Sequence, residues 1–108
     1  MSEQTEIQTV FLPMPEAEVL ELTAVLDALA DPIRLEILRE LAAHGESSCG
    51  TLSPPIAAST RSHHLKVLRA AGLTRTRVVG TTRFVSLRRD DVDARFPGLL
   101  AAVLSAPR

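Results

Sequence analysis

A chain of 108 residues, 45% of them hydrophobic, suits one compact domain, and a domain this small often gains stability by pairing with a copy of itself. Three Phe with no Trp or Tyr leave the core to Leu, Val, Ile and Ala, which fits packed helices and counts against a β-sandwich. The net charge of −1 hides a segregation: residues 1 to 46 hold ten acids and two bases, a balance of −8, whereas residues 47 to 89 hold eight bases and no acid, which is unlike a mixed solvated surface and suits a face that meets a polyanion.

In chain order, residues 1 to 15 lack a period and contain Pro13 and Pro15. They are expected to form an extended arm, either disordered or packed on a partner. Glu3 and Glu6 replace the basic-then-apolar pattern of a leader, and no apolar run approaches the roughly 20 residues that span a bilayer. A soluble, cytoplasmic protein with no membrane partner is expected. A single domain then occupies residues 16 to 106. Over residues 16 to 29, Val19, Leu22, Val25, Leu26 and Leu29 recur at three- and four-residue spacing, which predicts an amphipathic helix. Asp31 and Pro32 supply an N-cap and a first-turn proline for a second helix reaching about residue 43, and Gly45 supplies its stop.

Residues 47 to 58 leave room only for a short helical turn around Thr51 and Leu52, because Gly50 and the Pro54-Pro55 pair break longer structure. A helix capped near Ser59 runs to about residue 71, where Gly72 ends it, with Leu65, Val67, Leu68 and Ala71 facing inward. The period then changes to two. Residues 73 to 79 and 82 to 87 predict antiparallel strands joined at Gly80-Thr81. Asp90 or Asp91 caps a last helix that Pro97 interrupts, with Leu99, Leu100, Val103 and Leu104 as its apolar strip. The expected class is therefore mainly α with a β-hairpin wing (α+β), in the order α-α-α-α-β-β-α.

A short helix, a turn, a longer helix with a polar basic face and a basic hairpin are the parts of a winged helix-turn-helix. The major groove admits one α-helix, whose exposed side chains must bond base edges and phosphates. Ser59, Thr60, Arg61, Ser62, His63, Lys66 and Arg69 are the candidates on the helix, and Arg75, Arg77, Thr81, Thr82 and Arg83 those on the hairpin. Adjacent helix residues point about 100° apart, so His63 is expected outside, toward DNA, and His64 beside the core in a hydrogen-bonded structural role. His44 fits a favourable cation at a helix C-terminus. Cys49 lacks a second cysteine and is expected to be an inert thiol. Nothing in the chain forms a phosphate loop, a carboxylate pair or a nucleophile-base constellation, so catalysis is not expected.

The strings ALADPIRLEILREL (residues 28 to 41) and STRSHHLKVLRAAGLTRTRVVGTTRFVSL (residues 59 to 87) closely resemble the ArsR family of winged-helix regulators. The resemblance implies a homodimer bound to an imperfectly palindromic promoter operator, with residues 59 to 71 as recognition helix and residues 73 to 87 as wing. Its first and last helices would join the protomers, through Val19, Leu22 and Leu26 and through Leu99, Leu100 and Val103. The chain departs from the family where many members sense metals. The positions of the usual C-x-C pair are Ser48 and Gly50, and residues 88 to 108 contain no His for a last-helix zinc or nickel site. No cofactor is therefore expected. TLSPPIAAS is shorter than the usual helix and turn, and Arg61 stands where relatives commonly carry an apolar residue. Three alternatives remain at this stage: a nickel or zinc sensor with an atypical site built from His44, His63, His64, Cys49 or N-terminal carboxylates; control by a regulatory protein partner; and a winged-helix module that binds only protein.

Overall fold

The computed structural model describes residues 9 to 52 and 55 to 107. Its helices are α1 (Leu22–Leu29), α2 (Pro32–His44), α3 (Ala58–Ala71), α4 (Arg89–Arg95) and α5 (Leu99–Leu104), and its strands are β1 (Thr9–Phe11), β2 (Ser47–Ser48), β3 (Thr74–Val79) and β4 (Thr82–Leu87). One antiparallel sheet in the order β1-β3-β4-β2 lies against the helices. The expected class, helices with a hairpin wing, is the one observed.

Local chemistry explains most boundaries. Asp31 caps α2 by accepting the Arg34 N–H at 3.0 Å, and Pro32 occupies the first turn, where its missing N–H costs nothing. Gly45 closes α2 at φ 79° with its N–H on the Leu41 carbonyl. Gly72 ends α3 in the left-handed region at φ 90°, and the Leu73 N–H then reaches back to the Leu68 carbonyl at 3.0 Å. The hairpin turns through Gly80 and Thr81, with Val79 opposite Thr82. Gly80 alone takes a positive φ (60°), as a II′ turn asks of its first central residue.

Four expectations change. The helix anticipated over residues 16 to 29 is a 3-10 turn (Ala17–Val19), a break and then α1, because Leu20 drops fully into the core and Arg95 takes its carbonyl at 3.0 Å. The short helix near Thr51 is one 3-10 turn (Cys49–Thr51), as two prolines just downstream forbid its extension. The caps move too: α3 starts one turn position early, with the Arg61 N–H on the Ala57 carbonyl, and Arg88 rather than Asp90 or Asp91 precedes α4. Finally, residues 9 to 11 of the anticipated arm pair with β3 of their own chain, Thr9 opposite Val79 and Phe11 opposite Arg77. The rest of that arm, residues 1 to 8, lies outside the described residues.

The core joins all the layers: Leu20, Val25, Leu38, Leu68, Leu73, Val85, Val92 and Leu100 are essentially inaccessible. The apolar stripe of the α1 region divides. Val25 and Leu29 enter this core, while Val19, Leu22 and Leu26 stay 60%, 47% and 45% exposed. Leu100, anticipated at a dimer interface, is instead fully buried in its own protomer, since α5 folds back and docks that side chain inward. Among the described residues no helix is long and apolar enough to cross a membrane.

Gly72 is the tightest point of this architecture. A Cβ there would collide with the Leu20 side chain, and the backbone already sits where L-residues are strained. Gly72→Ala should therefore lower the unfolding free energy by about 2 kcal/mol or more, a sum of strain and overpacking. Urea denaturation monitored by circular dichroism checks this, with Gly50→Ala, which meets open space, as the neutral control.

Candidate nucleic-acid interface

Helix α3 presents two unlike faces. Leu65, Leu68 and Ala71 are buried, whereas Ser59, Thr60, Ser62, His63 and Lys66 are exposed along the other side. The histidine pair splits as helical geometry requires: His63 is solvent-facing and His64 is 8% exposed, their ring centroids 5.5 Å apart. The His64 Nδ1 lies 3.3 Å from Arg34 Nη1. A guanidinium has donors only, so Nδ1 accepts and the ring hydrogen sits on Nε2. The same Nδ1 lies 3.9 Å from the Asp31 carboxylate, beyond hydrogen-bonding distance.

The hairpin supplies the second cationic element. Thr81, Thr82 and Arg83 are exposed at its tip. Further along, the charges find partners of their own. Arg77 forks onto Glu46, with Nε to Oε2 at 3.1 Å and Nη2 to Oε1 at 2.7 Å, and its guanidinium lies 4.6 Å from the centre of the Phe84 ring. Arg75 sits 3.6 Å from Asp91. Arg88 is buried, donating to Asp91 at 3.0 Å and to the Pro15 carbonyl at 2.7 Å. The +8 segment is thus partly neutralised in space by Glu46 and Asp91, two acids from outside it. Arg77, anticipated to meet DNA, is engaged by Glu46 and Phe84, with 30% of its side chain exposed. Among the described residues Lys66, Arg69 and Arg83 form no ion pair.

Arg61 does not point straight out. It is half-buried, its Nη2 donates to the Ile56 carbonyl at 3.3 Å, and its Nε is buried without a partner among the described residues. Cys49 is half-buried, and burial pushes its thiol pKa up despite the Arg83, Arg61 and Arg69 charges nearby. Among the described residues no group of three or more His, Cys, Asp or Glu is placed to hold a metal ion.

The comparisons with known proteins agree with this arrangement. A helix-turn-helix domain model matches residues 29 to 77. The chain is 40% identical over 93 residues to YceK, an uncharacterized HTH-type transcriptional regulator of Bacillus subtilis, covering 83% of this chain and 93% of that protein. The crystal structure of an ArsR family transcriptional regulator superposes with a TM-score of 0.63 at 26% identity, covering 75% of this chain and 90% of that one. This chain belongs to the ArsR family of helix-turn-helix transcriptional regulators. A second match is to the HTH-type transcriptional regulator KmtR of Mycobacterium tuberculosis, 38% identical over 82 residues, covering 74% of this chain and 62% of that protein. A solved fragment of a possible transcriptional regulatory protein from Mycobacterium bovis gives a TM-score of 0.63 at 31% identity, covering 79% of this chain and 91% of that one. ArsR proteins are DNA-binding regulators, not enzymes.

Sequence reading missed Arg34, Glu46 and Arg88. The cap spacing signals only a backbone N–H at position 34, which any residue but proline would supply, so the side-chain contacts of Arg34 with Ala28, Asp27 and His64 leave no local trace. No spacing signals Glu46, which meets Arg77 only through the pairing of β2 with β4.

The Glu46–Arg77 fork also makes a titration prediction. The Arg77 hydrogen bonds hold the Glu46 carboxyl below its ordinary range, outweighing a partial desolvation. A depressed pKa means that the pairing is in place above the ordinary carboxylate range and is lost as pH falls through the folded-state value. Carboxyl-detected NMR titration should show Glu46 titrating below a typical Glu and returning to the typical range in Arg77→Ala.

Proposed function

We propose that this ArsR-family protein acts in the cytoplasm as a homodimer that binds double-stranded promoter operators, with α3 as its recognition helix. One observation carries the reading: the exposed polar face of α3, from Ser59 to Lys66, is continued by Arg69 and accompanied on the hairpin by Arg83, two cations that form no ion pair among the described residues. Ser59, Thr60, Ser62 and His63 provide hydrogen-bonding groups for base edges, and Lys66 and Arg69 provide charge for phosphates. Thr81, Thr82 and Arg83 at the wing tip would meet the backbone beside the groove. Arg75 would contribute from its half-exposed position beside Asp91, and Arg77 only after release from Glu46.

Dimerisation is supported by the exposed Val19, Leu22 and Leu26, apolar side chains that a lone protomer leaves in water, and by the half-buried Leu99 and Val103 of α5. A two-fold pair would present two copies of α3 to successive major grooves about one helical turn apart.

Fluorescence anisotropy on duplex DNA from the upstream region of the gene, against a shuffled duplex, tests the DNA reading. Preference for the first duplex, falling steeply with salt, is the expected result. Lys66→Ala or Arg83→Ala should weaken binding to every sequence and reduce the salt slope by about one per lost phosphate contact, whereas Ser62→Ala or His63→Ala should change sequence preference by about 1 to 3 kcal/mol. An unaltered salt slope in the Lys66→Ala/Arg83→Ala double variant would rule this face out. For the interface, Leu26→Asp should convert the dimer to a folded monomer in sedimentation velocity, because a charge cannot be buried unpaired between two copies.

A further inference from the structure

Between α3, the Cys49–Thr51 turn and the wing lies a cleft of about 410 Å3. Arg61, Lys66, Arg69 and Arg83 all line it, and among the described residues no carboxylate does. Like charges that line one cleft repel, so an anion placed among them is favoured. Two further features are independent of charge. Thr76 also lines the cleft, and its side chain is 2% exposed with a hydroxyl that has no hydrogen-bond partner. The Arg61 Nε is likewise buried and unpartnered. Buried polar groups are nearly always satisfied; among the described residues this hydroxyl and this guanidinium N–H have no partner, and the third such group, the Thr74 hydroxyl, does not line the cleft.

We propose that this cleft binds a small phosphorylated metabolite, with its phosphate held by Arg61, Arg69, Lys66 and the Thr76 hydroxyl. Guanidinium forks match phosphate oxygens, and four cations suit a dianionic group. The volume lies in the range of small-molecule sites and leaves room beside the phosphate for a short organic body. Cys49 completes the wall as an undissociated thiol, since burial raises its pKa, and adds no competing charge. Resting on the DNA-binding reading of α3, one regulatory consequence follows. Lys66, Arg69 and Arg83 serve both ligand and DNA, so the occupied cleft withdraws three cations from the operator and the metabolite releases the protein from DNA.

The test begins without DNA. The thermal midpoint of the full-length protein is followed with inorganic phosphate and with glycerol 3-phosphate, against glycerol and chloride at matched ionic strength. Wild type should gain thermal stability with both phosphates, as a ligand that binds only the folded state requires. Thr76→Val replaces the unpartnered hydroxyl by an isosteric methyl and should fold at least as well. It should bind glycerol 3-phosphate at least about tenfold more weakly, and Arg61→Gln should show the same loss. Equal shifts in wild type and Thr76→Val, or shifts no larger than chloride produces, would overturn the proposal. In the second arm, glycerol 3-phosphate should displace wild type from operator DNA but leave Thr76→Val bound. A loss of DNA affinity in Thr76→Val without any ligand would assign the cleft to a backbone phosphate of the operator and defeat the metabolite. Failure of every form to bind operator would instead defeat the regulator reading, while the melting series alone decides whether the cleft takes a phosphate ester.

Discussion

The Arg34 guanidinium ties three helices together. Its Nε donates to the Ala28 carbonyl at 2.6 Å and its Nη2 to the Asp27 carbonyl at 3.2 Å, satisfying the open C-terminal end of α1. Its Nη1 reaches His64 on α3, and its own backbone N–H is held by Asp31 at the start of α2. A positive charge at a helix C-terminus is favourable in itself, and here the same group also fixes the tautomer of a buried histidine. Because His64 is pinned inward, its neighbour His63, about 100° around the helix, is turned outward. The outward face of α3 therefore depends on a contact made on its opposite side.

The sheet plays the corresponding part for the wing. A two-stranded hairpin alone is marginal in water, and here β1 and β2 extend both edges to four strands. The β2 pairing carries Glu46 close enough to neutralise Arg77, and Asp91 at the start of α4 serves Arg75 and the buried Arg88. These pairs draw positive charge away from the base of the wing. What stays uncompensated is concentrated along α3 and at Arg83, next to the cleft that holds the orphaned Thr76 hydroxyl. The electrostatic pattern suited to a polyanion and the one suited to a small phosphate are thus built from overlapping side chains, which links the two occupants by competition.

The relation to other ArsR proteins places the unusual features in context. The helix-turn-helix match over residues 29 to 77 contains the Arg34 junction, α3 and the first wing strand. Arg61 and the shortened Cys49–Thr51 turn lie within it, at the mouth of the cleft.

Much of the architecture was determined by the sequence alone, because local rules act over three or four residues. The Asp31-Pro32 start and the Gly45 and Gly72 stops gave α2 and α3, the change of period after Gly72 gave the hairpin, and the helical wheel separated His63 from His64. The family resemblance, too, was carried by contiguous strings. Tertiary structure alone decided the rest: the Leu20 anchor that breaks the first helix, the burial of Leu100, the docking of residues 9 to 11 on β3, and the pairing of Arg77 with Glu46, 31 positions away. Each depends on groups that meet only after the chain has folded, and no short-range period records such meetings. The phosphate cleft belongs to the same class, since Thr76, Arg61 and Arg83 come from three different elements and become one site only when helix, turn and wing are packed together.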